Sequence, residues 1–339
     1  MRAGKLPGVV EERSLLMYME TTDKKVGMRR MEPAQVALSE RNDGYQCMLA
    51  TDQMGIFGND QTKAFCVGAL FDRVCGKLAA SGAAGEVFTI SLSLPPKCEE
   101  KELKKLAQVI ARAAKERDIT AYSLQAQGRY ESGEEGVVQM TVTGAGKTPL
   151  RPVQEALQPA GKTVIMAGYA ALEATAVFLL EQREFLLRRL AAGYLAQGLK
   201  KAVDTDVREA ARIAFHAGAL VKTAGEGGVY AALWELGEYL DCGMDLNPYD
   251  ILLHQETIEV CELLDISPYM LASGGCLFAV TGDAEALLAA YRTAGIAATK
   301  IGTLKEGRDR VLHNGEEERF LEPFRAEEMY RVLEGRMRN

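Results

Sequence analysis

The chain predicts a two-domain α+β protein. Its 339 residues suggest about two domains, at roughly 150 residues each. Within its first half, residues 87–143 read strand, helix, strand, strand, an order that favours a mixed layer over a doubly wound parallel sheet. Residues 144–161, holding Pro149, Pro152 and Pro159, are the candidate linker. The expected division is 1–150 and 160–325, with 326–339 as a C-terminal helix or tail.

Residues 1–41 are rich in charge and methionine, with little periodicity beyond a short helix near 13–20. Residues 45–52 (YQCMLATD) are a short apolar run and so a buried-strand candidate. A helix over 62–78 sets Phe65, Ala69, Val74 and Leu78 roughly on one face. Residues 87–94 (VFTISLSL) alternate apolar and small polar side chains and stop at Pro95-Pro96, as a half-buried strand does. The clearest amphipathic helix is 99–118, with Leu103, Leu106, Ala107, Ile110 and Ala114 inside and its Lys and Arg outside. Strands over 119–125 and 137–143 complete this half.

The second half opens with a strand at 163–167, followed by helices across 172–198 and 206–216. After residues 219–223 comes a glycine-rich turn, Gly225-Glu226-Gly227-Gly228. It feeds a helix whose apolar positions are Val229, Ala232, Leu233, Leu236 and Leu240. Such a turn lets backbone approach a ligand or a neighbouring segment closely, and the helix start offers unpaired N–H groups to an anion. Tight packing alone is the other reading of the glycines. Strands at 277–281 and 296–301 flank a helix at 283–294, and Asn314-Gly315 signals a tight hairpin within 311–320.

Composition narrows the function classes. With 47% hydrophobic and 26% charged residues the chain is an ordinary globular protein. A net charge of -7 and a pI near 5.3 argue against a general nucleic-acid or anionic-membrane surface. The opening Met1-Arg2-Ala3-Gly4-Lys5-Leu6-Pro7 lacks a signal peptide's apolar core, which points to the cytoplasm. The most apolar stretch, 163–180, is interrupted by Glu173 and reads as strand, turn and helix. Seven cysteines without a Cys-x-x-Cys pair, and three histidines (His216, His254, His313), speak for reduced thiols rather than disulfides or a metal cluster.

Several motifs recur together in one family. Glu226-Gly227-Gly228, Ala231 to Leu236, Glu256-Thr257 with Val260 to Leu264, Pro268-Tyr269 and Ala272-Ser273-Gly274-Gly275 come in this order. Over 162–323 the chain resembles the superfamily related to aminoimidazole ribonucleotide synthase, and within it the HypE-type hydrogenase-maturation branch. The resemblance implies a PurM/HypE-like fold: an N-terminal mixed α/β layer that pairs into a barrel-like sheet in a homodimer, and a C-terminal α+β domain. It also implies ATP carried with magnesium and phosphorylation of a carbonyl or carboxamide oxygen. Such chemistry needs carboxylates, since magnesium prefers oxygen ligands.

On this resemblance Asp52, in Ala50-Thr51-Asp52, stands where the family has a metal and nucleotide contact; a strand-end Asp capping a turn is the alternative. Elsewhere the acidic pattern departs. Gly76-Lys77 replaces an Asn-Asp pair before Leu78-Ala79-Ala80-Ser81-Gly82-Ala83, and Ser123-Leu124-Gln125-Ala126 replaces a glycine-rich acidic motif. Met28-Arg29-Arg30-Met31 falls where an acidic glycine-rich segment is expected, and Lys222-Thr223 replaces His-Asp. Glu173 is explained by a place at a helix start. The branch's terminal cysteine has no counterpart in Arg336-Met337-Arg338-Asn339, and Cys276 begins a strand. The expected ligand contacts are Asp52, Lys77, Gly225, Glu226, Gly227 and Gly228, with Asp52 also the metal position. Three readings stay open: a binding or accessory dimer with a largely degenerate magnesium-ATP site, an active ATP-dependent transferase or dehydratase, and a structural partner of another maturation protein.

Overall fold

The computed structural model describes residues 26–27, 36–40, 45–129, 136–149 and 160–337. The helix expected near 13–20 and the segment Met28 to Met31 lie outside the described residues. Two sheets organise the described residues. The first has the order β1-β2-β3-β6-β4-β5, and the second β13-β12-β9-β11-β7-β10-β8.

In the first sheet, β1 (Val26–Gly27), β2 (Val36–Glu40), β3 (Tyr45–Ile56), β6 (Val138–Pro149) and β4 (Val87–Leu94) pair antiparallel. Only β5 (Tyr122–Gly128) runs parallel to its neighbour, β4. The mixed layer expected from strand order is therefore present, for a physical reason: the amphipathic helix α2 (Glu100–Glu116) is the crossover a parallel pair requires. Two expectations are corrected. Residues 45–52 are not a short, wholly buried run but part of a longer strand whose burial alternates, since only one of its faces packs on helices. Residues 144–149 are not linker: they finish β6, and Pro149 ends the ladder opposite Tyr45.

The second sheet is built from β7 (Thr163–Gly168), β8 (Leu220–Thr223), β9 (Gly243–Leu246), β10 (Cys276–Thr281), β11 (Ala298–Lys305), β12 (Arg310–Asn314) and β13 (Glu317–Phe320). β7 and β10 are buried almost throughout, as central strands covered on both faces must be. In the closing hairpin Asn314 pairs with Glu317, so Gly315 at φ +68° and Glu316 form the turn and Asn314 is the last ladder residue. Around this sheet lie α3 (Leu172–Glu181), α4 (Arg183–Leu186), α5 (Ala192–Ala202), α6 (Arg208–His216), α7 (Gly228–Leu240), α8 (Gln255–Leu264), α9 (Ala284–Thr293) and α10 (Glu328–Met337).

The helix α1 (Asp60–Ala80) sits between the two halves. Asn59 caps it, its side chain accepting from the N–H groups of Gln61 and Thr62. The sequence suggested one buried face, but residues 66–80 are buried all round. The reason is that α1 packs on β3, β6 and α2 from one side and on α3, α6 and β8 from the other. One apolar cluster runs through it, from Met48, Ile90 and Met140 to Ile165, Val221 and Leu277. The cysteines are unpaired: Cys66, Cys75, Cys242, Cys261 and Cys276 are buried, while Cys47 and Cys98 are half-buried. Among the described residues no helix is long and apolar enough to cross a membrane.

Candidate functional site

A helix buried from all sides should carry no charge, yet α1 holds Asp72, Arg73 and Lys77. Each is paired. Asp72 accepts from Arg117 through both oxygens, at 2.7 and 2.8 Å, and from Thr205 Oγ1 at 2.8 Å, joining α1 to both halves. Arg73 and Lys77, four residues and so about one turn apart, instead meet a cleft of about 1890 Å³. Its walls come from β3, α1, α2, β6, the end of α3, β8, the glycine-rich turn, α7 and α10.

Arg73 is the hub. Its Nε donates to Glu173 Oε2 at 3.0 Å and its Nη2 to Glu173 Oε1. Its Nη1 stands 3.8 Å from Asp52 Oδ1 and 3.8 Å from Glu226 Oε1. Burial works against the guanidinium's charge, but Glu173, Asp52 and Glu226 more than offset this and hold it ionised. Lys77 Nζ donates to Asp52 Oδ2 at 2.8 Å and to the Thr51 carbonyl at 3.0 Å. Burial pushes the Asp52 carboxyl up, while Lys77, Arg73 and the Gln53 N–H pull it down further, to about 2. Asp52 is therefore an ionised carboxylate held by two cations; it lies within β3, paired with Val142, and not at the strand end expected from the sequence.

The glycine-rich turn forms the opposite wall, where Gly225 and Glu226 line the cleft. Gly227 and Gly228 lie behind it in left-handed conformations, φ +82° and +73°. A Cβ on Gly228 would come within 2.5 Å of the Tyr269 carbonyl oxygen, so glycine is required there for close packing. The Gly227 N–H, at the start of α7, donates to Glu327 Oε2 at 2.6 Å. The other Glu327 oxygen accepts from the N–H groups of Ala272 and Met329, each at 3.2 Å. Burial raises the Glu327 carboxyl to about 7 despite these three donors. Beside it the Tyr330 hydroxyl contacts Glu226 Oε1 at 3.3 Å.

Of the residues expected from the sequence, Asp52, Lys77, Gly225 and Glu226 come together at the cleft, whereas Gly227 and Gly228 act from behind its wall. Lys222, where the resembled family has His, also lines the cleft and pairs with Glu235 at 2.7 Å. Gly76 faces Val207, which a Cβ would approach to 2.8 Å, so this position has become a packing contact. Ser123 to Ala126 lie on exposed β5, away from the cleft lining, with Gln125 bonded to Ser91 at 2.8 Å. Glu173 is corrected: it does sit in the first turn of α3, but it is buried and is the principal partner of Arg73. The sequence reading missed Arg73, Glu327 and Tyr330. The charged pair Asp72-Arg73 inside Phe71 to Val74 was the signal available for the first.

Among the described residues no three His, Cys, Asp or Glu side chains group in a way that could hold a metal ion. Asp52, Glu173 and Glu226 converge on a guanidinium instead.

No family model and no curated protein sequence matches the chain. Solved structures do. That of the HypE–HypF complex superposes with a TM-score of 0.69 at 16% identity, covering 93% of this chain and 99% of that chain. E. coli HypE gives 0.65 at 19%, covering 84% and 88%. AaThiL complexed with AMPPCP and TMP gives 0.66 at 15%, covering 95% and 98%. The chain has the two-domain PurM/HypE-like fold that these proteins share.

Proposed function

We propose that this protein binds its ligand without turning it over, as an accessory or regulatory cytoplasmic homodimer in which a PurM/HypE-like cleft is kept and the magnesium-ATP machinery is largely dismantled. One observation carries the reading: at the cleft, Asp52 faces both Lys77 and Arg73, and Glu226 also faces Arg73. Magnesium needs near-octahedral oxygen ligands. An ion on Asp52 would stand against an ammonium 2.8 Å and a guanidinium 3.8 Å from the same carboxylate, like charges at close range in a half-buried site. These donors do not fit magnesium. The ligand is then a small anion or a partner protein's group, taken at Lys77, Gly225 and Glu226, with Gly227 and Gly228 shaping the turn from behind. Residues 1–150 and 160–325 act as the two domains, with 326–339 as their tail. Exposed Tyr45, Leu49 and Val87 on the first sheet support pairing with a second copy. One of the similar solved structures is a HypE–HypF complex, which supports a protein partner here as well.

Isothermal titration with magnesium-ATP tests the reading: no binding in the micromolar range is expected. Micromolar binding that a chelator abolishes overturns it. The rival, an ATP-dependent transferase or dehydratase of the HypE/PurM type, draws on the ionised Asp52 and on the similar structures of HypE in complex with ATP and of AaThiL with AMPPCP. It requires slow ATP turnover that Asp52→Ala removes while the fold persists.

A further inference from the structure

The cleft is larger than a small anion needs. Small-molecule pockets measure about 300 to 1,000 Å³, and this one holds about 1890 Å³. Its cations divide into two groups. Arg73, Lys77 and Lys222 each lie against a carboxylate. Lys63 of α1 and Lys105 and Arg112 of α2 line the same cleft, yet among the described residues their side chains form no ion pair or hydrogen bond. The two acids that line this part are otherwise engaged. Glu102 accepts from the Glu99 N–H at 3.2 Å in the capping box of α2, and Asp60 lies in the first turn of α1, where the helix dipole favours an acid. On a chain of net charge -7, three uncommitted cations in one cleft are a local exception.

Their spacing has a direction. Lys105 and Arg112 are seven positions apart on one helix, so they share a face and stand about 10 Å apart along its axis. Val109 lies between them, about one turn from each, and also lines the cleft. α2 therefore offers a cation, an apolar step and a cation in a row. Phe57 and Val137, the latter 39% exposed, add apolar lining. An extended chain presents a matching row, because alternate residues share a face and the first and fifth stand roughly 13 Å apart, within reach of two long, flexible side chains. A lone small anion would engage one cation and leave the apolar step uncovered.

We infer that this part of the cleft is a docking groove for an extended acidic segment of a partner protein. The segment carries an apolar residue flanked at alternate positions by two carboxylates, and it lies along α2 with its acids on Lys105 and Arg112 and its apolar side chain on Val109. This rests on the reading of the cleft as a binding site and names the chemistry of the partner. Arg112 is the stronger contact, since a guanidinium meets a carboxylate at two points.

The test uses the full chain, without magnesium or nucleotide, and a fluorescein-labelled synthetic peptide in which glutamate, leucine and glutamate occupy alternate positions between serines. Anisotropy is read at about 0.15 M salt, where long-range attraction is screened within about 8 Å. The parent is expected to bind the peptide, and Lys105→Gln combined with Arg112→Gln to weaken binding about tenfold or more. Lys104→Gln combined with Lys115→Gln removes equal charge from exposed positions of the same helix outside the cleft lining, and is expected to change affinity little. Glutamine forms helix about as well as lysine or arginine, so both double variants are expected to fold. Equal losses in the two double variants overturn the inference, since they indicate general attraction to a polyanion, and so does an absence of binding to the parent. Inorganic tripolyphosphate is the second arm: displacement of the peptide at a lower concentration than the unlabelled peptide requires overturns the peptide occupant in favour of a phosphate compound. Chelator-sensitive magnesium-ATP binding is a separate outcome: it sinks the non-catalytic reading and does not alter the peptide result.

Discussion

Arg73 and Glu173, one hundred positions apart, form a two-point ion pair with both side chains almost wholly buried. The pair ties α1 to the first turn of α3, and Asp52 and Glu226 complete its surroundings. Removing one member leaves an uncompensated charge in a low-dielectric site. Arg73→Met is expected to destabilise the fold by about 3 to 5 kcal/mol in urea unfolding. Combined with Glu173→Leu, most of that loss is expected to return. A double variant no more stable than the single one contradicts this account.

Asp52 gives a pH dependence with a definite sign. Its folded pKa, about 2, lies below the reference value of 3.8, so the ionised form is favoured by folding. That stability is present above about pH 4 and is lost as pH falls toward 2, roughly 2 kcal/mol in all. Asp52→Asn is expected to flatten this acid limb. An unchanged slope between pH 4 and 2 would show that Lys77 and Arg73 do not hold the carboxylate.

Glu327 has the opposite sign. Its carboxyl is raised from 4.5 to about 7, so the folded state holds a proton that the unfolded state has released. Stability falls as pH rises from about 4.5 through 7, by about 3 kcal/mol. Glu226, Tyr330, Arg73 and Glu173 are the charged and titratable groups around this corner. Urea midpoints across this range are expected to decline for the parent and much less for Glu327→Gln.

Two glycines separate backbone strain from crowding. Gly161 and Gly228 both have positive φ, but a Cβ on Gly161 meets nothing within 4 Å, whereas one on Gly228 meets backbone at 2.5 Å. Gly161→Ala is expected to lower stability by about 1 kcal/mol, the conformational penalty alone. Gly228→Ala is expected to lower it by more than about 3 kcal/mol. Equal losses in thermal melts would refute the packing role of Gly228.

Much of this was legible in the residue pattern. Periodicity located α2 and α7, which each expose one face, short apolar or alternating runs located most strands, and the glycine-rich turn and Asp52 were found from the family resemblance. What escaped has a common cause. The helix expected over 62–78 is there as α1, but it is enclosed on every side rather than on one face, and the polar positions that mattered, Arg73 and Asp72, interrupt it without a local partner. Glu327 and Tyr330 lie about a hundred residues from Gly227 and Glu226. Such a meeting depends on the whole topology, and spacing along the chain does not disclose it.

The helix shared by both halves decides how the molecule comes apart. Because one apolar cluster passes through α1 from the first sheet to the second, heating should melt the protein in a single calorimetric peak, and neither half expressed alone retains a closed interior.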